Sequence, residues 1–279
     1  MSRYASTARL LAGATALLVS GAAAQTANAP IPDFSINGGG WEAPNGTAFI
    51  PVPGSPPPMV NDPGHPYINN GIANRTGQQP NYRIGDLTNP NVKQWAKDIM
   101  KKDNEEILNK GKIAYTPSQS CEPWGVPAVS LSGGPFFFFQ TPKKVLIIEE
   151  GDRMARHVWL NIPHSTNLKP SWYGESVGHY EGDTLVVDTI GMNTKTFVDN
   201  YRTPHTDKLH VVERWRLIEG GKQIEVHMTV DDSGTYEKPW QVIRRYTRSD
   251  APDLGENICR EGNFVLFNYG IPIDETPDF

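Results

Sequence analysis

Four of the chain's seven histidines, His164, His179, His205 and His210, fall between Pro163 and Trp215. Two share a local pattern. Pro163–His164–Ser165 follows a strand-like run, and Pro204–His205–Thr206 precedes one. Proline restricts the backbone on each side, so each imidazole is presented from a stiff loop, and imidazole is the side chain best suited to move protons near neutral pH. Asp199 or Asp207 could orient His205. Glu213 lies between Val211 and Trp215 on the more apolar face of the run 209–218. A carboxylate buried there either has its pKa raised by desolvation or pairs with a cation such as Arg244 or Arg245. The first outcome suits acid–base work. The chemistry these residues point to is proton transfer: His205 as general acid or base, Glu213 as its partner of opposite protonation state, and His164 polarising a substrate oxygen. The two Pro–His loops are expected to meet at one mouth of the fold.

Trp172 and Tyr173, in the loop Lys169–Gly174, would cover an apolar or aromatic substrate. Trp215, Tyr236 and Trp240 are further candidates to line its pocket. A catalytic metal on His164, His205 and His227 lacks the short-spaced ligand pairs of zinc sites. No G-x-S-x-G elbow supports a serine nucleophile. No phosphate-cradling glycine motif is present, so no organic cofactor is expected.

These residues need a scaffold, and the pattern from Phe136 onward is that of strands. Eight runs of strand length are rich in β-branched and aromatic residues: 135–140, 144–150, 155–162, 176–181, 183–191, 209–218, 222–230 and 240–248. Turn signals at Gly151–Asp152, Glu181–Gly182–Asp183 and Glu219–Gly220–Gly221 separate several of them. The fold class is mainly β, an antiparallel meander closing into a lipocalin-like barrel of about eight strands. Asn89–Pro90 reads as the start of one helix, with Val92, Trp95, Ala96, Ile99 and Met100 at helical spacing and Gly111 as its stop. Residues 25–88, rich in Pro, Gly and Asn, read as an irregular arm. Trp41, Phe49, Tyr67 and Tyr82 favour its wrapping the domain of residues 89–279.

The first 24 residues read as a secretory leader. Arg3 and Arg9 precede the apolar run Leu10–Val19, and Ala22–Ala23–Ala24 suits cleavage. Its removal takes the formal charge from −5 to −7. An acidic chain with no basic stripe is not built for nucleic acid. No stable membrane anchor is expected, and the oligomeric state is left open. Cys121 and Cys259, in an oxidising compartment, are expected to form one disulfide.

From Asn89 to Asn263 the chain resembles a group of exported bacterial proteins usually labelled uncharacterised. The segments that carry the likeness include PSWYGESVGHYEGDTLVVDTIGMN, YRTPHTDKLHVVERWR and TVDDSGTYEKPW. The resemblance implies export and one domain and transfers no catalytic residue. The residues themselves favour a periplasmic lyase, isomerase or hydrolase acting on a small, largely apolar or aromatic molecule in a barrel pocket. A non-catalytic carrier, or a structural accessory to an envelope complex, are the alternatives.

Overall fold

The computed structural model describes residues 30–35, 39–43, 48–68, 75–76, 83–110, 117, 121–152, 154–249 and 253–259. The leader-like segment 1–24, Tyr82 and the stop residue Gly111 lie outside them.

The chain is mainly β. Strands β1 (Trp41–Glu42) and β2 (Ile50–Pro51) come from the arm and precede helix α1 (Gln94–Lys110). Then follow β3 (Phe136–Gln140), β4 (Lys144–Glu149), β5 (Ala155–Leu160), β6 (Glu175–Glu181) and β7 (Thr184–Ile190). β8 (His210–Ile218), β9 (Gln223–Asp231) and β10 (Trp240–Arg248) complete the set. The eight strand-like runs became β3 to β10. They form a sheet in sequence order, and β1 pairs with both β3 and β10 to close it. The result is a nine-stranded barrel with β2 added outside the ring on β10. The arm therefore supplies the closing strand. Trp41 is fully buried, its indole N–H donates to the Phe34 carbonyl at 2.8 Å, and the Arg248 guanidinium lies 4.5 Å from its ring centre.

One pairing departs from the expected meander. β5 and β6 run parallel, with Val158 opposite Ser176 and Leu160 opposite Gly178. No helix is needed to connect them. An extended crossover, residues 161–174, leaves the end of β5 and returns alongside the barrel. It is tied to the chain after β7 by backbone hydrogen bonds from Ser171 to Gly191 (3.1 Å) and from Asn193 to Ser171 (2.8 Å). Gly174 ends it with φ +64°, and a Cβ there would lie 2.3 Å from the Ile190 carbonyl oxygen, so only glycine fits.

Side-chain alternation fills the barrel. In β8, Val211, Glu213 and Trp215 point inward while Arg214 and Arg216 point out. Aromatic rings occupy the middle: Phe138 meets Trp215 edge-on at 5.4 Å, and Trp215 stacks on Tyr246 at 6.0 Å. The gap between Ser130, Glu149, Arg156, Glu213 and Trp215 measures about 10 Å³, room for one water at most. The expected ligand pocket inside the barrel is occupied by side chains in this region.

Helix α1 begins at Gln94, later than the Asn–Pro signal. Asn89 is buried and serves the arm instead. Its amide donates to the carbonyls of Pro57 (3.3 Å) and Pro58 (3.1 Å), and its side-chain oxygen accepts from the Asn91 N–H at 2.9 Å. The helix buries a narrow stripe of Ala96, Met100 and Asn104 and leaves Trp95 and Ile99 exposed. A disulfide joins Cys121 to Cys259, as the two-cysteine count implied. Among the described residues no helix is long and apolar enough to cross a membrane.

Candidate functional site

The parallel seam of the barrel positions the site. β5 alternates Arg156, Val158 and Leu160 inward with His157 and Trp159 outward. Where β5 begins, the neighbouring chain is still the end of the crossover rather than β6. A cleft of about 470 Å³ opens there on the barrel flank. Trp159, Trp172, Tyr173 and His157 form its walls, with Arg156 and Ser176 beneath. Trp159 is 43% exposed, a large apolar ring presented to solvent on a strand.

Arg156 belongs to the cleft and to the interior. It is buried and forms a two-pronged ion pair with Glu213, with Nη1 to Oε1 at 3.1 Å and Nη2 to Oε2. Its Nε donates to Ser176 Oγ at 3.1 Å and its Nη2 to Thr189 Oγ1 at 2.7 Å, so four strands meet on one guanidinium. Such a pair is held by complementary hydrogen bonds rather than by charge alone. Glu213 therefore sits where the alternation placed it, but its cation comes from β5. Arg244 bonds instead to the carbonyls of Ser130 (3.0 Å) and Ala48 (2.6 Å). Arg245 bonds to Glu225, where burial raises the carboxyl but hydrogen bonds from Arg216, Arg245 and His227 outweigh it and hold it down to about 2.

Tyr173 also faces both spaces. Its hydroxyl donates to Asp152 Oδ2. Burial, with Asp152 adding to it, pushes the phenol well above its ordinary range. Behind them Glu149 accepts from the Asp152 N–H at 2.6 Å, and burial raises its carboxyl above the usual range. A Cβ on Gly134 would fall on the Glu149 carboxylate, so the barrel rim is shaped around that group.

At the cleft's edge Glu175 Oε1 accepts from the Ser165 N–H at 2.7 Å and lies 3.0 Å from His164 Nδ1. His164 Nε2 lies 3.0 Å from Asp188 Oδ1, and His210 Nε2 reaches the same oxygen at 2.8 Å. Carboxylate oxygens only accept, so a His164 ring carrying both protons satisfies both contacts. The chain Glu175–His164–Asp188–His210 starts in the cleft and runs over the outer faces of β6, β7 and β8. No family model matches the chain, and neither does any curated protein or solved structure.

The structure brings some of the expected site residues together and disperses others. His164, Trp172 and Tyr173 gather around the cleft or its edge. His205 does not join them. Only 4% exposed, it lies between Thr196 Oγ1 at Nε2 (2.8 Å) and the Thr206 carbonyl at Nδ1 (2.8 Å). The carbonyl only accepts, so Nδ1 carries the proton and Nε2 receives the threonine hydroxyl. Burial lowers the imidazole below its ordinary range, in keeping with a neutral ring. Asp199, one of the two acids that could orient it, is spent on Thr203 and the Tyr201 N–H, at 2.7 and 2.8 Å. No hydrogen bond or ion pair joins His205 to Glu213 or to His164. Trp215, Tyr236 and Trp240, expected to line the ligand pocket, are core residues at 1%, 3% and 0% exposure. Tyr236 and Trp240 pack edge-on at 5.6 Å. Among the described residues no group of three or more His, Cys, Asp and Glu is placed to hold a metal ion.

Sequence reasoning missed Arg156, Glu175, Asp188 and Asp152. Arg156 had a signal: alternation back from Val158 and Leu160 places a charge among the inward residues of β5. Asp188 and Glu175 had none, since their meeting with His164 depends on the parallel crossover.

Proposed function

We propose that this chain is an exported small-molecule-binding barrel whose ligand lies in the flank cleft under the crossover. The cleft itself carries the reading. Its volume of about 470 Å³ falls within the roughly 300–1,000 Å³ of small-molecule sites. Its walls are aromatic, and its polar floor is held in place by the Arg156 ion pair. The leader-like N-terminus and a disulfide compatible with an oxidising compartment support a periplasmic or secreted location. Binding without chemistry is favoured over catalysis by His205 and Glu213. One is enclosed by threonines, the other is locked to Arg156, and the Tyr173 phenol is already committed to Asp152.

One observation favours a second reading, an acid–base lyase, isomerase or hydrolase. Glu175 lines the cleft and is coupled through His164 to Asp188, a carboxylate–imidazole chain of the kind that moves protons. In it Glu175, not His205, would touch substrate.

Thermal-shift screening of the processed protein against small aromatic compounds tests the binding reading. A true ligand raises the melting temperature of the wild type and leaves Trp172→Ala unmoved. Equal stabilisation of both proteins would place binding elsewhere and end the proposal. Product formation that Glu175→Gln abolishes while binding survives would favour the enzyme.

A further inference from the structure

The charges around the cleft do not cancel, and we infer that its ligand is a planar aromatic carboxylate. This rests on the flank cleft being the binding site. Of the described charged residues that line it, Arg156 faces Glu213 and Glu175 faces His164. Lys169 remains, exposed and with no hydrogen bond or ion pair to any described residue. Close by, the Lys195 ammonium lies 5.7 Å from the centre of the Trp172 ring and has no carboxylate partner among the described residues. On the other wall Lys144, directly opposite Trp159 in the β4–β5 pairing, holds its ammonium 5.4 Å from that indole. Both tryptophans of the cleft are thus flanked by lysines, while the acids at its edge are already engaged.

The complement of that surface has a flat apolar body and a negative end. The body packs on Trp159 and Trp172, where offset or edge-on stacking adds to the area buried. The negative end meets Lys169 and Lys195. A single charge suits two ammonium groups on flexible stems. Among the described residues the one guanidinium fork at the site, which would grip a phosphate bidentately, is occupied by Glu213. A sugar would use the tryptophan faces but leave the lysines unanswered.

Isothermal titration at low ionic strength with 2-naphthoate and its neutral counterpart 2-naphthylmethanol tests this. The wild type should bind naphthoate about fivefold or more tightly than the alcohol, the order expected for two exposed charge contacts. The gap should narrow at 0.5 M salt, at which screening falls to a few ångströms (~4 Å). The double variant Lys169→Gln/Lys195→Gln, surface changes that leave the fold alone, should bind the two compounds about equally while keeping its affinity for the alcohol. Equal binding of both by the wild type, or a preference that survives the double substitution, would overturn the carboxylate and leave the cleft reading standing. Binding of neither compound would overturn both.

Discussion

Pro163–His164–Ser165 and Pro204–His205–Thr206 are nearly the same tripeptide pattern, yet they end in opposite environments. His164 is partly exposed at the edge of a cleft, with a carboxylate at each ring nitrogen. His205 is sealed, with a threonine contact at each. The difference lies in what surrounds each loop. The first opens the parallel crossover and is laid over Glu175 at the start of β6 and Asp188 on the outer face of β7. The second sits in the connection from β7 to β8, whose hydroxyl-rich segment Thr196–Thr206 folds on itself around Asp199 and Asp232. A proline before a histidine stiffens the backbone and says nothing about what the ring will meet.

The contrast between sealed and open polar groups can be broken most sharply at the buried extreme. Arg156→Met alone, or Glu213→Leu alone, should cost about 3–5 kcal/mol in urea unfolding, because each leaves an uncompensated charge in the barrel. The double variant should regain most of it. Full additivity of the two losses would mean that the pair is not coupled.

His205→Ala comes next. It strands a buried carbonyl and hydroxyl, at about 1–3 kcal/mol, without changing ligand affinity. The same ring sets a pH dependence. Burial lowers its folded pKa, so the unfolded chain takes up the proton first, near its ordinary value of about 6.5. Stability is therefore complete above that value and falls as pH drops toward the lower folded pKa. His205→Gln should flatten the slope of stability against pH in that window; an unchanged slope would show that His205 is not its source.

The smallest effect on stability is expected at the open histidine. His164→Ala should cost less than about 1 kcal/mol, as for other partly exposed ion pairs, yet weaken ligand binding by loosening the crossover that carries Trp172. A loss of stability as large as that of His205→Ala, with affinity intact, would reverse the assignment of the two loops.

Much of the architecture was legible because strand alternation is local. The runs that became β3 to β10 announce themselves by β-branched and aromatic residues, and Glu213 was placed inward by counting in twos. The closing strand was not legible: Trp41–Glu42 is two residues long and takes its strand character from Phe136, Thr247 and Arg248 beside it. Nor was the parallel pairing, since residues 161–174 carry no helical pattern to advertise a crossover. The site shared that fate. Arg156 and Glu213, like His164 and Asp188, are distant in sequence and joined by register, whereas Trp215 and Trp240 have the same residue type as Trp172 and differ from it in standing on inward strand faces rather than on the crossover.

The central claim is that the ligand occupies the flank of the barrel and not its interior. Assigned indole N–H signals of the seven tryptophans, followed by NMR as 2-naphthoate is added, test it directly. The account predicts that Trp159 and Trp172 shift while the buried Trp41, Trp215 and Trp240 do not. Shifts in the buried indoles with Trp159 and Trp172 unmoved would contradict it.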